Sequence, residues 1–166
     1  YADVFAEPPY GEDPAESARS FRERAVRYAD EKPEFRMPLA WDGADVVGLA
    51  LGTGAAEGDW WRDRVFEAVP DAVRREWLGE ECFFIAELAV AVAYRRRGLA
   101  RALMAEITAD LPYKRAVLTC YRSASTTREF YAALGWRELV VGFQVGDSPA
   151  LCLFGLSLPS LDPADR

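Results

Sequence analysis

The sequence predicts a mixed α/β (α+β) fold, a central mixed sheet with helices on both faces. Three observations carry that expectation. First, Phe83 to Val92 is an apolar run broken only by Glu87, with the length and Val/Ile/Phe content of a strand buried on both faces. Second, the run ends in Tyr94-Arg95-Arg96-Arg97-Gly98, after which Leu99, Ala102, Leu103 and Ile107 recur at helical spacing. Strand, tight basic turn and helix therefore follow one another. Third, two further pairs of strand-like segments are each joined by a short turn rich in Gly and Asp, with helical segments between them.

From the start of the chain, Tyr1 to Tyr10 reads as the tail of a helix, with Val4 and Phe5 apolar and Pro8-Pro9 as the stop. Asp13-Pro14-Ala15-Glu16 is a compact helix start. Asp13 can cap, Pro14 suits the first helical position, and Glu16 can reach back to close a capping box. The helix shows Ala18, Phe21, Ala25 and Tyr28 on one face and ends before Pro33. Phe35 to Trp41 and Asp45 to Leu51 are two strands around the Asp42-Gly43 turn. Gly52 to Gly58 reads as a flexible connection. Its Gly52-Thr53-Gly54 is no dinucleotide fingerprint, because Glu57 stands where a third glycine is needed.

Asp59 to Leu78, which holds Trp60, Trp61, Phe66 and Trp77, is a helical insertion of one or two pieces, with Pro70-Asp71 opening the second. It serves either as core packing or as a wall or lid on an acceptor site. Arg115 to Arg122 is another buried strand. Thr126 is expected to cap a short helix, with Glu129 reaching back, Phe130, Tyr131 and Leu134 along it, and Gly135 just past its end. Trp136 to Val145 and Leu151 to Leu158 form a second hairpin around Gly146-Asp147-Ser148-Pro149. The expectation is one domain over residues 1–158 and a Pro- and Asp-rich tail over 159–166.

A net charge of −7 argues against general nucleic-acid binding, which draws on phosphate contacts, and favours cationic partners such as amines. No apolar run approaches the ~20 residues that span a bilayer, and no signal peptide is visible, so no membrane partner is expected. The sequence starts at Tyr1 rather than Met, which leaves a signal upstream open. Cys82, Cys120 and Cys152 lie in apolar, strand-like segments without C-x-x-C spacing. They read as buried thiols in a reducing, cytoplasmic compartment. With no histidine in the chain, a His-based zinc site is impossible and no metal is expected. Any general base must then be a carboxylate, Tyr, Cys, Lys or a chain of waters.

The chemistry concentrates at the basic turn. The first N–H groups of a helix lack intrahelical acceptors, and the helix dipole adds partial positive charge. Such a helix start is an anion site, most naturally for phosphate. Gly98 lets the backbone approach an anion closely, and Arg95, Arg96, Arg97 and Arg101 add full charges. The bland alternative is a solvated charge run or a nucleic-acid patch. In its strand-turn-helix setting, the spacing Arg95-x-x-Gly98-x-Ala100 resembles the pyrophosphate-binding turn of the GNAT superfamily of N-acetyltransferases, Gln/Arg-x-x-Gly-x-Gly/Ala. Phe130-Tyr131-Ala132-Ala133-Leu134-Gly135-Trp136 resembles that family's second hallmark, Tyr-x-x-x-Gly-aromatic. The order of elements matches the family from its first helix onward, over nearly all of the chain; the family's first strand would precede Tyr1. One departure stands: the Asn that the family often carries seven residues before that Tyr is Ala124 here, with Ser123 or Ser125 as substitutes.

The resemblance implies the GNAT acyl-CoA N-acyltransferase fold, acetyl-CoA or a related acyl-CoA as donor, and a primary amine of a small molecule or peptide as acceptor. In the family, pantetheine lies between splayed parallel strands. Carried over, the backbone of Leu88, Ala89 and Val90 would pair with it. Arg95, Arg96, Arg97, Gly98, Leu99 and Ala100 would cradle the pyrophosphate through N–H groups, and Arg101 would reach a phosphate. Glu87 is the single carboxylate in the apolar run, where desolvation raises proton affinity toward that of a useful base. Its alternative is to pair with an arginine or to face solvent. Tyr131 matches the family's general acid to the CoA sulfur; its alternative is a core tyrosine with a satisfied hydroxyl. Glu80 and Glu81 are further acceptor-side candidates, and a homodimer stays open. Two other functions compete with the transferase: a CoA-binding module without activity, and a GNAT-like domain doing other acyl-CoA chemistry. Glu87 and Tyr131 together favour the transferase over the inert module.

Overall fold

The computed structural model describes residues 1–79 and 81–159. In chain order the elements are α1 (Ala2–Phe5), α2 (Pro14–Glu31), β1 (Leu39–Asp42), β2 (Asp45–Ala55), α3 (Trp60–Ala68), α4 (Asp71–Val73), β3 (Cys82–Val90), α5 (Leu99–Ile107), β4 (Arg115–Tyr121), α6 (Ser125–Ala133), β5 (Arg137–Phe143) and β6 (Leu151–Ser157). The order is the one expected, and the six strands belong to one mixed sheet. The chain gathers into two compact units. One joins Tyr1–Thr53 to Ile85–Ala109; the other joins Gly54–Phe84 to the chain from Asp110 onward.

In the first unit β1, β2 and β3 are successive neighbours. β1 pairs antiparallel with β2, Trp41 opposite Val46, with a bulge between Ala40 and Trp41. β1 is shorter than expected. Phe35 to Pro38 contributes the isolated bridge from Arg36 to Gly52 and a bond from the Ala50 N–H to the Pro38 carbonyl at 3.1 Å, but Pro38 has no N–H to donate to a ladder. α2 starts as its sequence requires: Pro14 opens it and the Asp13 carboxylate accepts from the Glu16 N–H at 2.9 Å. Its inward stripe is Ser17, Phe21, Arg24, Ala25 and Tyr28, whereas Ala18 is exposed. Phe5, Leu49 and Ala89 form a small core with Tyr1, Val4, Tyr10, Phe21 and Leu39. The Tyr1 ring stacks at 4.3 Å on both Phe5 and Phe21. Side chains alternate across a strand, so Gly48 faces the other way from Leu49. There a Cβ would stand 3.2 Å from the Leu103 side chain of α5 and 3.4 Å from that of Val90. Helices thus cover both faces of this part of the sheet.

In the second unit β6 lies between β4 and β5 and pairs antiparallel with each. Its core includes Val65, Trp77, Leu78, Cys82, Val117 and Leu153. The insertion is in two pieces, as Pro70 suggested: α3, then α4 running on into a π-helical turn over Arg74–Leu78. Val65 and Trp77 are buried while Trp60 is exposed, so the insertion packs a core. All three cysteines are free and buried.

Four local expectations need correction. Gly52, Thr53 and Gly54 are not a connection but the buried end of β2; pairing within a sheet overrides the weak strand preference of glycine. The apolar strand stops at Val90, and Val92–Tyr94 is a single 3₁₀ turn with Val92 exposed. Ala18 is not on the buried face of α2, because the helical period through Ser17 and Phe21 leads to Arg24 instead. Thr126 is not a cap: α6 starts at Ser125 after Ala124, with no side-chain capping bond. The Arg128 N–H already reaches the Ala124 carbonyl at 3.0 Å, which leaves Thr126 inside the first turn. Gly135 does follow the helix end in the left-handed conformation, φ 85°. Residues 160–166 of the expected tail lie outside the described residues.

Candidate active site

The turn between β3 and α5 is shaped by two left-handed residues, Arg96 at φ 62° and Gly98 at φ 84°. Gly98 caps α5 without a side-chain bond, and the first turn of the helix carries no acidic residue. The Ala102 N–H bonds back to the Gly98 carbonyl at 3.0 Å, so the N–H groups of Leu99, Ala100 and Arg101 come before the first N–H that has an intrahelical acceptor. A Cβ on Gly98 would meet no protein atom within 4 Å. The turn therefore presents an open side to an approaching anion.

The arginines divide into two kinds. Arg95 braces the turn: its Nε donates to the Val90 carbonyl at 3.1 Å, and its guanidinium pairs with Glu7 at 2.8 Å. Arg97 lies 5.3 Å over the ring of Tyr94, whose hydroxyl donates to Asp42 at 2.6 Å. Arg95, Arg96, Arg97 and Arg101 are all exposed, but the charge of Arg95 is already paired with Glu7. Leu88 is half-buried, and Ala89 and Val90 are buried.

Glu87 alternates along β3 with Ile85 and Ala89, which places it on the face that carries the aromatic cluster. Its Oε1 lies 2.5 Å from Arg24 Nη2, and its side chain is 9% exposed. Arg24 Nη2 also donates to the Tyr1 hydroxyl at 3.1 Å, and that hydroxyl hydrogen-bonds Glu87. Glu12 contributes a second negative charge nearby; its Oε2 accepts from the Ser17 hydroxyl at 2.5 Å. Burial pushes the Glu87 carboxyl up to about 7, with Arg24 and the Tyr1 bond pulling it back and Glu12 adding to the rise. Glu87 does pair with an arginine and does not face solvent. The pair nevertheless leaves it titrating near neutrality, where a carboxylate can accept a proton and release it again.

Glu87, Leu88 to Val90 and the turn from Arg95 to Arg101 all belong to the first unit, and Tyr131 belongs to the second. Tyr131 is buried on α6, its ring 5.4 Å from Phe130, 5.7 Å from Phe154 and 6.2 Å from Trp136. Glu81 is exposed, and Glu80 lies outside the described residues. Among the described residues no cluster of His, Cys, Asp or Glu could hold a metal ion. Among the same residues no helix is long and apolar enough to cross a membrane.

Sequence reasoning missed Arg24, Tyr1 and Glu12 as partners of Glu87, and Glu7 as the partner of Arg95. A trace of Arg24 was present. Ser17, Phe21, Arg24 and Tyr28 follow the helical period, so a polar pair on the inward stripe marked a buried polar contact. The other partners left no such trace.

The family described as Acetyltransferase (GNAT) domain matches residues 39–138, a span that holds Glu87, the basic turn and Tyr131. The chain belongs to the GNAT acetyltransferase family. No curated protein matches it. Similar solved structures share the GNAT fold at low identity. A putative GNAT-family acetyltransferase from Desulfovibrio desulfuricans is 16% identical with a TM-score of 0.65, over 95% of this chain and 90% of that one. The ribosomal-protein-S18-alanine N-acetyltransferase from Escherichia coli is 14% identical with a TM-score of 0.55, over 85% and 79%. A putative acetyltransferase from Salmonella typhimurium, solved with its cofactor acetyl-CoA, is 16% identical with a TM-score of 0.54, over 91% and 77%.

Proposed function

We propose that this GNAT protein is an N-acetyltransferase that moves an acetyl group from acetyl-CoA to a primary amine of a small molecule or peptide. The observation that carries this reading is the buried Glu87 carboxyl, which titrates near neutrality in the same unit as an open helix start whose Gly98 cap has no side chain. The residues of the turn fit an acyl-CoA. The N–H groups of Leu99, Ala100 and Arg101 would hold the pyrophosphate beside Gly98, with Arg96, Arg97 and Arg101 supplying charge. The backbone of Leu88 to Val90 would pair with pantetheine. When bound, acyl-CoA supplies the activated acetyl group. Glu87 takes the proton from the acceptor nitrogen, directly or through water, which keeps the amine nucleophilic. By the family resemblance, Tyr131 would donate a hydrogen bond to the sulfur of a bound donor. The likeness to an alanine N-acetyltransferase supports an amine-bearing acceptor, and the three free thiols support a reducing, cytoplasmic setting.

The test is a panel of amines incubated with acetyl-CoA, read by release of free thiol. One or more amines should be consumed, and Glu87→Gln should lower turnover by about 10²–10⁴-fold with CoA affinity intact. CoA binding without thiol release from any amine would favour the inert module. A Glu87→Gln enzyme at full turnover would move the base to Glu80 or Glu81.

A further inference from the structure

The proton acceptor proposed above does not stand alone. Three side chains converge on it from segments far apart in the sequence: Arg24 from α2, Tyr1 from before α1, and Glu12 from before α2. Arg24 is the only cation among them. One of its nitrogens, Nη2, serves both Glu87 at 2.5 Å and the Tyr1 hydroxyl at 3.1 Å. We propose that Arg24 is a positioning residue, which holds the Glu87 carboxylate ionised and aimed for the proton transfer assigned to it.

Competing fields act on the Glu87 carboxylate. A carboxylate on a buried strand face loses most of its hydration, and desolvation favours the neutral acid. Glu12 adds like charge in the same direction. The Tyr1 hydroxyl gives one bond back, but a neutral donor does not supply the field of a full charge. Among the described residues acting on Glu87, Arg24 alone opposes the burial with charge. Its guanidinium is delocalised and keeps its proton throughout the working range. Without it, Glu87 would hold its proton at neutral pH and could not accept another. Arg24 also limits rotation of the carboxylate, because Oε1 is paired with a guanidinium that α2 carries and that is itself bonded to the Tyr1 hydroxyl.

This inference rests on the base reading of Glu87, and the experiment separates the two. Carboxyl ¹³C resonances of glutamate-labelled full-length protein are titrated, with Glu87 assigned by its disappearance in Glu87→Gln. In parallel, kcat and KM for acetyl-CoA are measured from pH 5.5 to 9.5. Two neutral variants, Arg24→Met and the more polar Arg24→Gln, guard against loss of folding in one, and Arg24→Lys restores charge. In either neutral variant the Glu87 midpoint should rise by about one pH unit or more, since its paired cation is gone. Turnover at pH 7 should fall about tenfold or more and recover toward the alkaline end, with KM for acetyl-CoA unchanged, and Arg24→Lys should return the midpoint most of the way. An unmoved midpoint and pH profile in a folded neutral variant overturn the assignment of Arg24. Full turnover in Glu87→Gln overturns the base itself, and the carboxyl midpoint, read without turnover, keeps the two failures distinct.

Discussion

A carboxyl buried beneath aromatic rings is least stable when ionised, and that has a measurable consequence at Glu87. Its proton affinity is raised from the ordinary 4.5 to about 7, so between those values the folded chain keeps a proton that the unfolded chain has released. The stability contributed by this group is full below about 4.5 and is lost as pH rises through 7. The loss is on the order of 3 kcal/mol. Urea unfolding at pH 5 and pH 8 should therefore show a larger drop for the wild-type protein than for Glu87→Gln. Parallel losses in the two proteins would place the pH dependence elsewhere. Tyr131 poses a different question, because its ring is packed and its proposed role lies in the hydroxyl alone. Tyr131→Phe keeps the ring, so kcat should fall more than KM rises, as for a bond that strengthens only in the transition state. Full kcat together with a lowered melting temperature would make Tyr131 a packing residue.

Two glycines set limits on whole elements. Gly98 stands at φ 84° with open space where a Cβ would be, so a side chain there meets backbone strain and any bound anion but no protein atom. Gly98→Ala should cost about 1–2 kcal/mol for the left-handed conformation. Gly98→Asn tolerates that conformation better while still crowding the approach to the turn. If calorimetry finds CoA affinity unchanged in a stable Gly98→Asn protein, the turn is not where the pyrophosphate lies. Gly155 on β6 is the opposite case. A Cβ there would fall 2.4 Å from the Trp77 ring and 2.8 Å from Leu139, which overpacks a core that has little room to yield. Gly155→Ala should destabilise by about 1–3 kcal/mol in urea unfolding. A neutral result would mean that the π-helical turn carrying Trp77 can shift outward.

For the molecule as a whole, the net charge of −7 acts through the solvent rather than through any contact. It draws a cationic amine toward the protein and repels an anionic donor, which leaves the local arginines of the turn to capture the phosphates. Raising salt from about 0.01 M to 0.15 M shortens the screening length from roughly 30 Å to 8 Å. The kcat/KM for a cationic acceptor should fall over that range while kcat itself changes little. A flat response would show that local contacts alone govern capture of the acceptor.

How much of this was legible in the chain follows from the range of each interaction. Helix starts such as Asp13-Pro14, the paired strands around Asp42-Gly43 and the strand-turn-helix at Gly98 depend on neighbours within a few residues, and pattern alone was enough to order them. Glu87 stood out for a similarly local reason, one carboxylate in an apolar run. Its partners did not, because Tyr1, Glu12 and Arg24 come from 63 to 86 positions away, and no periodicity links such residues until helices pack on the strand. Gly52 to Gly54 looked like a connection for the same reason: glycine weakens a strand taken alone, whereas inside a sheet the ladder and the burial outweigh it. Thr126 failed as a cap because Ala124 and Ser125 had already begun the helix. Local chemistry named the family of fold and the candidate base, and long-range packing chose the charges that surround that base, since only packing brings distant side chains out of water together.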